Sequence, residues 1–321
     1  MFTKTQAILS GRSCILVEGL GEYSLADTFE CGQCFRYEKI EGLEGDEYLT
    51  VVGSTLINVG QRKRGELIFY GMSDEEFEQV ARPYFALDTD LAAIRDDVIK
   101  RTDSSWLKDA ALYSGGIAIL KQDPWEALFS FIISQNNNIP RIRKIIKQIC
   151  CQYGVNISLQ KGLEKCPAKR ISGIPCQEKC KDCGICYTFP TAEEVLEEPE
   201  KLLPSHPGFR YKYLVDAAKK VAAKEVNLDM IAAARSYTHT VECLKNITGV
   251  GDKVASCVAL FGFANLEAFP IDVWMRRAID TYFGGELAPE SLGRYAGFAQ
   301  QYIFHYIRNG EGRPKEDQVG D

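Results

Sequence analysis

The chain has 321 residues, 45% hydrophobic and 11% aromatic, with 38 basic and 44 acidic side chains and a net charge of −6. That supports one large or two ordinary cores, and it excludes a transmembrane helix, because no apolar run approaches the length that spans a bilayer. The first residues, MFTKTQAILSGRSCILVEGL, lack an apolar segment with a cleavage site, so the expected setting is cytoplasmic (nucleoid-associated in a prokaryote), with no membrane partner and with 12 cysteines as thiols or metal ligands.

Residues 12 to 72 read as β-rich. CILVEGL, FRYEKI, EYLTVVG, TLINVG and ELIFYG are short β-branched and aromatic runs bounded by Gly or acidic turns, and no helical period fits them. Cys31-Gly32-Gln33-Cys34 lies between the first two runs. No βαβ pattern surrounds it, so its cysteines read as buried thiols rather than a redox pair. Gly32 on a loop lets a backbone carbonyl approach a ligand closely. From Asp74 the period turns helical, in DEEFEQVARPYFALD and DLAAIRDDVIKR. The expected division is a β-sheet domain over 1–115, a helical domain over 116–310 with a Cys-rich insert at 166–186, and a flexible tail over 311–321.

Asp123-Pro124 is a helix start, with Asp as cap and Pro in the first turn. WEALFSFIIS is apolar almost all round and predicts a buried helix. It ends in Ser134-Gln135-Asn136-Asn137-Asn138, either an ordinary loop or an insert for the DNA minor groove. PRIRKIIKQICCQYG then resumes as helix and carries Arg141 near its start. Cys176, Cys180, Cys183 and Cys186 supply four thiolates for a structural zinc, or are free thiols. Phe209 sits on the Pro/Gly loop PSHPGFRYKY beside Arg210. On the residues alone it reads first as a core plug and second as a wedge for unstacking bases.

The most informative stretch is LKNITGVGDKVASCVALFGFANLEAFPIDVWMR. Gly249-Val250-Gly251 joins two helices, and the bare N–H groups at the second helix start form an anion site suited to a DNA phosphate. Lys253 lies in the first turn, where the helix dipole disfavours a cation. A nucleophilic lysine benefits from that placement, because it needs its neutral amine. Asp252 beside it works the other way. Asp272, after Pro270-Ile271, is placed to cap the next helix and to partner Lys253. None of this chemistry requires a cofactor.

These segments resemble the helix-hairpin-helix base-excision glycosylases, and more narrowly the 8-oxoguanine DNA glycosylase/AP lyase branch. The resemblance rests on GVGDKVASC, FPIDVWM, CGQCFR, QDPWEALFSFIISQNNNIPRI, GFRYKY and YAGFAQQYIF, in that branch's order along the chain. It implies an α+β protein, with a TBP-like antiparallel β N-terminal domain followed by an all-helical glycosylase core. It implies a monomer acting on damaged double-stranded DNA, with a flipped base bound between the two parts. By motif position Lys253 is the nucleophile and Asp272 its charge partner. The Gly32 carbonyl would read the N7 hydrogen of 8-oxoguanine, Cys257 and Phe304 would sandwich the base, and Gln300 would bond its Watson–Crick edge. Asn136 would fill the vacated stack and Phe209 would wedge, while Arg141 and Arg210 would contact the opposite cytosine. Trp274 stands where eukaryotic relatives carry a histidine near a phosphate. Two alternatives stay open: the same fold acting on another oxidised or alkylated base, and a non-catalytic helix-hairpin-helix DNA-binding protein.

Overall fold

The computed structural model describes residues 2–40, 45–157 and 185–310. Its N-terminal part is one antiparallel sheet of six strands: β1 (Thr3–Leu9), β2 (Arg12–Glu18), β3 (Tyr37–Lys39), β4 (Asp46–Val52), β5 (Thr55–Gln61) and β6 (Glu66–Tyr70). Their order across the sheet is β1-β2-β6-β5-β4-β3. Ser10 and Gly11, with φ of 51° and 73°, form the β1–β2 turn, the left-handed pair that a tight hairpin requires. Five strands fall on the expected runs. β1 was not expected: its TKTQAIL side chains are mostly exposed on the sheet edge, so no buried alternation marks it. One short helix lies between the expected strand runs. Leu25–Glu30 is a short helix capped by the Ser24 side chain, burying Leu25, Thr28 and Phe29. Six residues are too few to display a helical period.

Phe29, Phe69, Phe77 and Phe85 stack in edge-on contacts behind the sheet. The same buried cluster continues without a break into the helices. The helix Pro124–Ile133 buries eight of its ten residues, as its all-round apolar pattern demands. It packs against the helix Asp252–Gly262, where Gly262 permits a close crossing: a Cβ there would lie 3.1 Å from the Pro124 Cα. The helices Ile139–Tyr153, Tyr211–Ala222, Val273–Tyr282 and Ala296–Asn309 complete the surroundings of the site.

Candidate active site and nucleic-acid interface

Six residues expected at the site line one small cavity: Gly32, Lys253, Cys257, Asp272, Gln300 and Phe304. Phe131 and Gln301 line it as well, and neither was expected from sequence. The cavity measures about 50 Å³, room for a water or two and too little for a purine. A larger surface cavity of about 430 Å³ opens between Glu38 and the Arg143, Lys144 and Lys147 side chains, and none of the candidate catalytic residues lines it.

Lys253 enters from the first turn of Asp252–Gly262. Its Nζ lies 3.4 Å from the Ser134 hydroxyl and 5.5 Å above the Phe131 ring centre. Asp252 is turned away from it and pairs with Lys245 at 2.6 Å. The expected opposition from Asp252 therefore meets a carboxylate engaged elsewhere. Asp272 is the N-cap of Val273–Tyr282, its Oδ1 accepting from the Met275 N–H at 2.8 Å. Cys257 sits one turn beyond Lys253. Burial raises the pKa of its thiol; Lys253 lowers it and Asp272 raises it, so both charges are felt at that sulfur. Gln300 and Phe304 share one face of Ala296–Asn309 by their i, i+4 spacing.

Gly32 adopts a φ of +80°, and a Cβ there would approach the Phe304 ring to 3.3 Å. Its loop is pinned by Gln33, fully buried. The Gln33 amide donates to the Thr28 and Ala118 carbonyls, each at 2.8 Å, and accepts from the Leu120 N–H at 2.8 Å. Gln122 donates to the Gln33 carbonyl at 2.7 Å. Nothing local in the sequence marks Gln33 as an anchor, because its partners in the helical part are 85 and more residues away along the chain. Burial drives the Cys31 thiol up to about 12 and raises Cys34 as well, consistent with two inert thiols.

The candidate DNA face surrounds the hairpin. Gly249 has a φ of +82° and lies flat against Tyr213, whose ring a Cβ would meet at 2.5 Å. Val250 is buried and its N–H bonds the Ile247 carbonyl at 3.0 Å. Gly251 is the N-cap of Asp252–Gly262 and provides no side chain to cap it, which leaves the helix start open to an anion. Asp216 holds the hairpin by accepting from the Thr248 N–H at 2.7 Å. Burial pushes its carboxyl upward, but hydrogen bonds from Thr248 and Lys220 outweigh that and lower it.

Asn136 is exposed with a φ of 46°. Asn138 caps Ile139–Tyr153, and Arg141, in its first turn, is exposed. Phe209 is 49% exposed, so the expectation of a core plug is wrong. The Pro/Gly loop and Gly208, with φ of +63°, hold it outward, its ring edge-on to Tyr213. Arg210 differs from a free surface contact: it is 3% exposed. It donates to the Gln135 carbonyl at 2.8 Å, to Asn136 at 2.9 Å and to Pro207 at 3.2 Å. Trp274 is half-buried beneath Arg277, whose guanidinium lies 5.2 Å from its ring centre. Of the four zinc-candidate cysteines, Cys176, Cys180 and Cys183 lie outside the described residues, and Cys186 is buried.

The chain is similar to known proteins over most of its length. Residues 15–128 match the 8-oxoguanine DNA glycosylase N-terminal domain. An N-glycosylase/DNA lyase of Saccharomyces cerevisiae is 30% identical over 283 residues, covering 80% of this chain and 67% of that protein. The Clostridium acetobutylicum 8-oxoguanine glycosylase/lyase, in complex with double-stranded DNA containing cytosine opposite 8-oxoguanine, superposes with a TM-score of 0.79 at 30% identity, over 96% of this chain and 97% of that one. Its apo form superposes with a TM-score of 0.78 at 30% identity, over 95% and 98%. A 3-methyladenine glycosylase from Archaeoglobus fulgidus, at 20% identity and a TM-score of 0.59, shares the fold. The chain belongs to the 8-oxoguanine DNA glycosylase/lyase family, within the helix-hairpin-helix glycosylases.

Proposed function

We propose that the protein is a bifunctional DNA glycosylase and AP lyase that removes 8-oxoguanine from duplex DNA. The observation that carries this reading is the convergence of Lys253 and Asp272, from two different helices, on one cavity with Gly32, Cys257, Gln300 and Phe304. A plain DNA-binding hairpin has no use for a lysine directed inward onto an aromatic ring.

The hairpin N–H groups grip a backbone phosphate. Phe209 and Asn136 occupy the space from which the lesion is unstacked. Arg141 faces the opposite base, while Arg210 holds the Asn136 turn through its carbonyl bonds. The flipped base enters as Phe304 gives way, since the free cavity is too small for it. The Gly32 carbonyl accepts the N7 hydrogen that guanine lacks. The neutral Lys253 amine forms a bond to C1′ as the C1′–N9 bond breaks, with its electron pair leaving on the base. Asp272 stabilises the positive charge that develops on the sugar. The amine then loses a proton, and opening of the sugar ring at O4′ yields the Schiff base. Loss of a C2′ proton expels the 3′ phosphate by β-elimination and nicks the strand. The enzyme acts as a monomer, and none of these steps requires a metal.

Borohydride trapping on duplexes with 8-oxoguanine opposite each base tests the reading. A covalent adduct is expected, abolished by Lys253→Gln. No adduct, or one that Lys253→Gln leaves intact, refutes the lysine mechanism. Equal trapping on dihydrouracil duplexes would favour a broader lesion range.

A further inference from the structure

We infer that Gln301 is a second reader of the flipped base, and that Gln300 and Gln301 work as one two-amide unit; this rests on the glycosylase reading above. Both side chains line the cavity and both are buried, at 4% and 2% exposure. The Gln301 amide nitrogen donates to the Gln300 Oε1 at 2.7 Å. The Gln301 Oε1 is buried and has no hydrogen-bond partner among the described residues. A buried amide oxygen is costly to leave unpaired, so its presence beside a ligand cavity calls for a donor from the ligand.

Adjacent helical residues point about 100° apart, so two in succession reach one ligand only when it lies between their faces. Gln300 shares its face with Phe304, and Gln301 opens onto the same cavity from the next. The bond between the two amides consumes one donor and one acceptor. It leaves the unit with the Gln300 amide N–H group as donor and the Gln301 oxygen as acceptor. A 6-oxopurine edge carries the complement, an O6 acceptor beside an N1–H donor. A 6-aminopurine carries the reverse, an amino donor beside a bare N1. In the same pose it would set donor against donor and acceptor against acceptor. Gln301 thus fixes the sense in which Gln300 is presented and, with the Gln300 oxygen engaged by it, supplies the acceptor beside the Gln300 donor. Gly32 distinguishes the oxidised imidazole ring; the glutamine pair distinguishes the 6-oxo edge.

The test compares single-turnover excision of 8-oxoguanine and 8-oxoadenine opposite cytosine, alongside Schiff-base trapping on abasic DNA, which has no base to read. Gln301→Met, close in shape but without the amide, is the main variant, and Gln301→Ala the second. Excision of 8-oxoguanine is expected to fall roughly ten- to hundredfold, the scale of one lost base contact, with the preference over 8-oxoadenine narrowing accordingly. Trapping on abasic DNA should change far less. Unchanged excision and unchanged preference would overturn the inference, and so would an equal loss on lesion and abasic substrates, which marks a structural role. If the unmodified protein itself excises no 8-oxoguanine, the glycosylase reading fails, and this inference fails with it.

Discussion

Gly249→Ala and Gly251→Ala each add one methyl group to the same hairpin, yet the structure predicts different outcomes. At Gly249 the backbone is left-handed, with φ +82°, and the new Cβ would sit 2.5 Å from the Tyr213 ring. Forcing an L residue into that conformation costs about 1–2 kcal/mol, and pressing a methyl into a filled contact about 1–3 more. The expected loss is therefore about 2–5 kcal/mol. At Gly251 the φ is −101° and none of the described residues lies within 4 Å of where a Cβ would stand. Alanine is a poorer N-cap than glycine, so the loss there is about 1 kcal/mol or less.

Urea unfolding measures both, read as a shift in midpoint at constant slope. Tyr213→Ala provides the internal check. Combined with Gly249→Ala it removes the ring the methyl strikes, so the pair should couple by about 1–3 kcal/mol, leaving the backbone strain behind. Equal shifts for the two glycine variants, or no coupling to Tyr213, would refute the account of why this hairpin needs its first glycine. DNA binding should reverse the order relative to stability. The Gly251 methyl stands over the open helix start, so that variant should lose affinity for duplex DNA while remaining folded.

Asp272→Asn should keep the fold, because asparagine caps as well as aspartate, and slow excision about a hundredfold or more by removing the charge; a lowered Tm with normal excision would contradict this. Arg210→Met leaves the Gln135 and Asn136 carbonyls without their donor, so stability should fall by roughly 2–4 kcal/mol in urea unfolding. Arg141→Ala should leave stability unchanged and relax the choice of opposite base in excision assays. Burial holds the His305 imidazole below its ordinary 6.5, with Asp27 opposing. The unfolded chain therefore binds that proton more readily, and the contribution present above 6.5 is lost as pH falls through the folded value. The Tm should drop on acidification below about pH 6.5, less steeply in His305→Gln.

The long helices were legible from their apolar patterns and caps, and five of the six strands as short β-branched and aromatic runs bounded by turn residues. Strand β1 and the helix Leu25–Glu30 were not, one lacking a buried face and the other lacking length. Lys253 could be found because a cation at a positive helix end breaks a local preference, and Asp272 and the hairpin because an acid cap after a proline loop and glycines between two helices mark helix starts. Phe209 could not be assigned from its loop alone, since Pro and Gly permit an inward or an outward ring equally. Gln33 and Gln301 were invisible for a different reason. Their meaning lies in amide bonds made in a buried setting, and a glutamine in a helix or loop carries no periodic signal that distinguishes it from a surface residue.

In the mechanism proposed here Asp272 combines a structural and a chemical role. From sequence, capping and charge stabilisation compete as explanations, and each is sufficient to account for an acid at that position. In the structure the cap bond engages Oδ1 alone, at 2.8 Å from the Met275 N–H. Oδ2 makes no hydrogen bond to the described residues, and Asp272 lines the cavity. The cap thus holds the carboxylate at a fixed place by a backbone contact that needs no second side chain. A charge meant to meet a developing cation must be held still before the reaction, because reorienting it during the reaction would consume the stabilisation it provides. Capping is therefore the means by which Asp272 is pre-positioned, and the helix start that it satisfies sets the positive end of a dipole beside its negative charge. A serine hydroxyl would cap nearly as well and would carry no charge. An Asp272→Ser variant that is folded, binds DNA and is slow in excision is the outcome this division of labour requires.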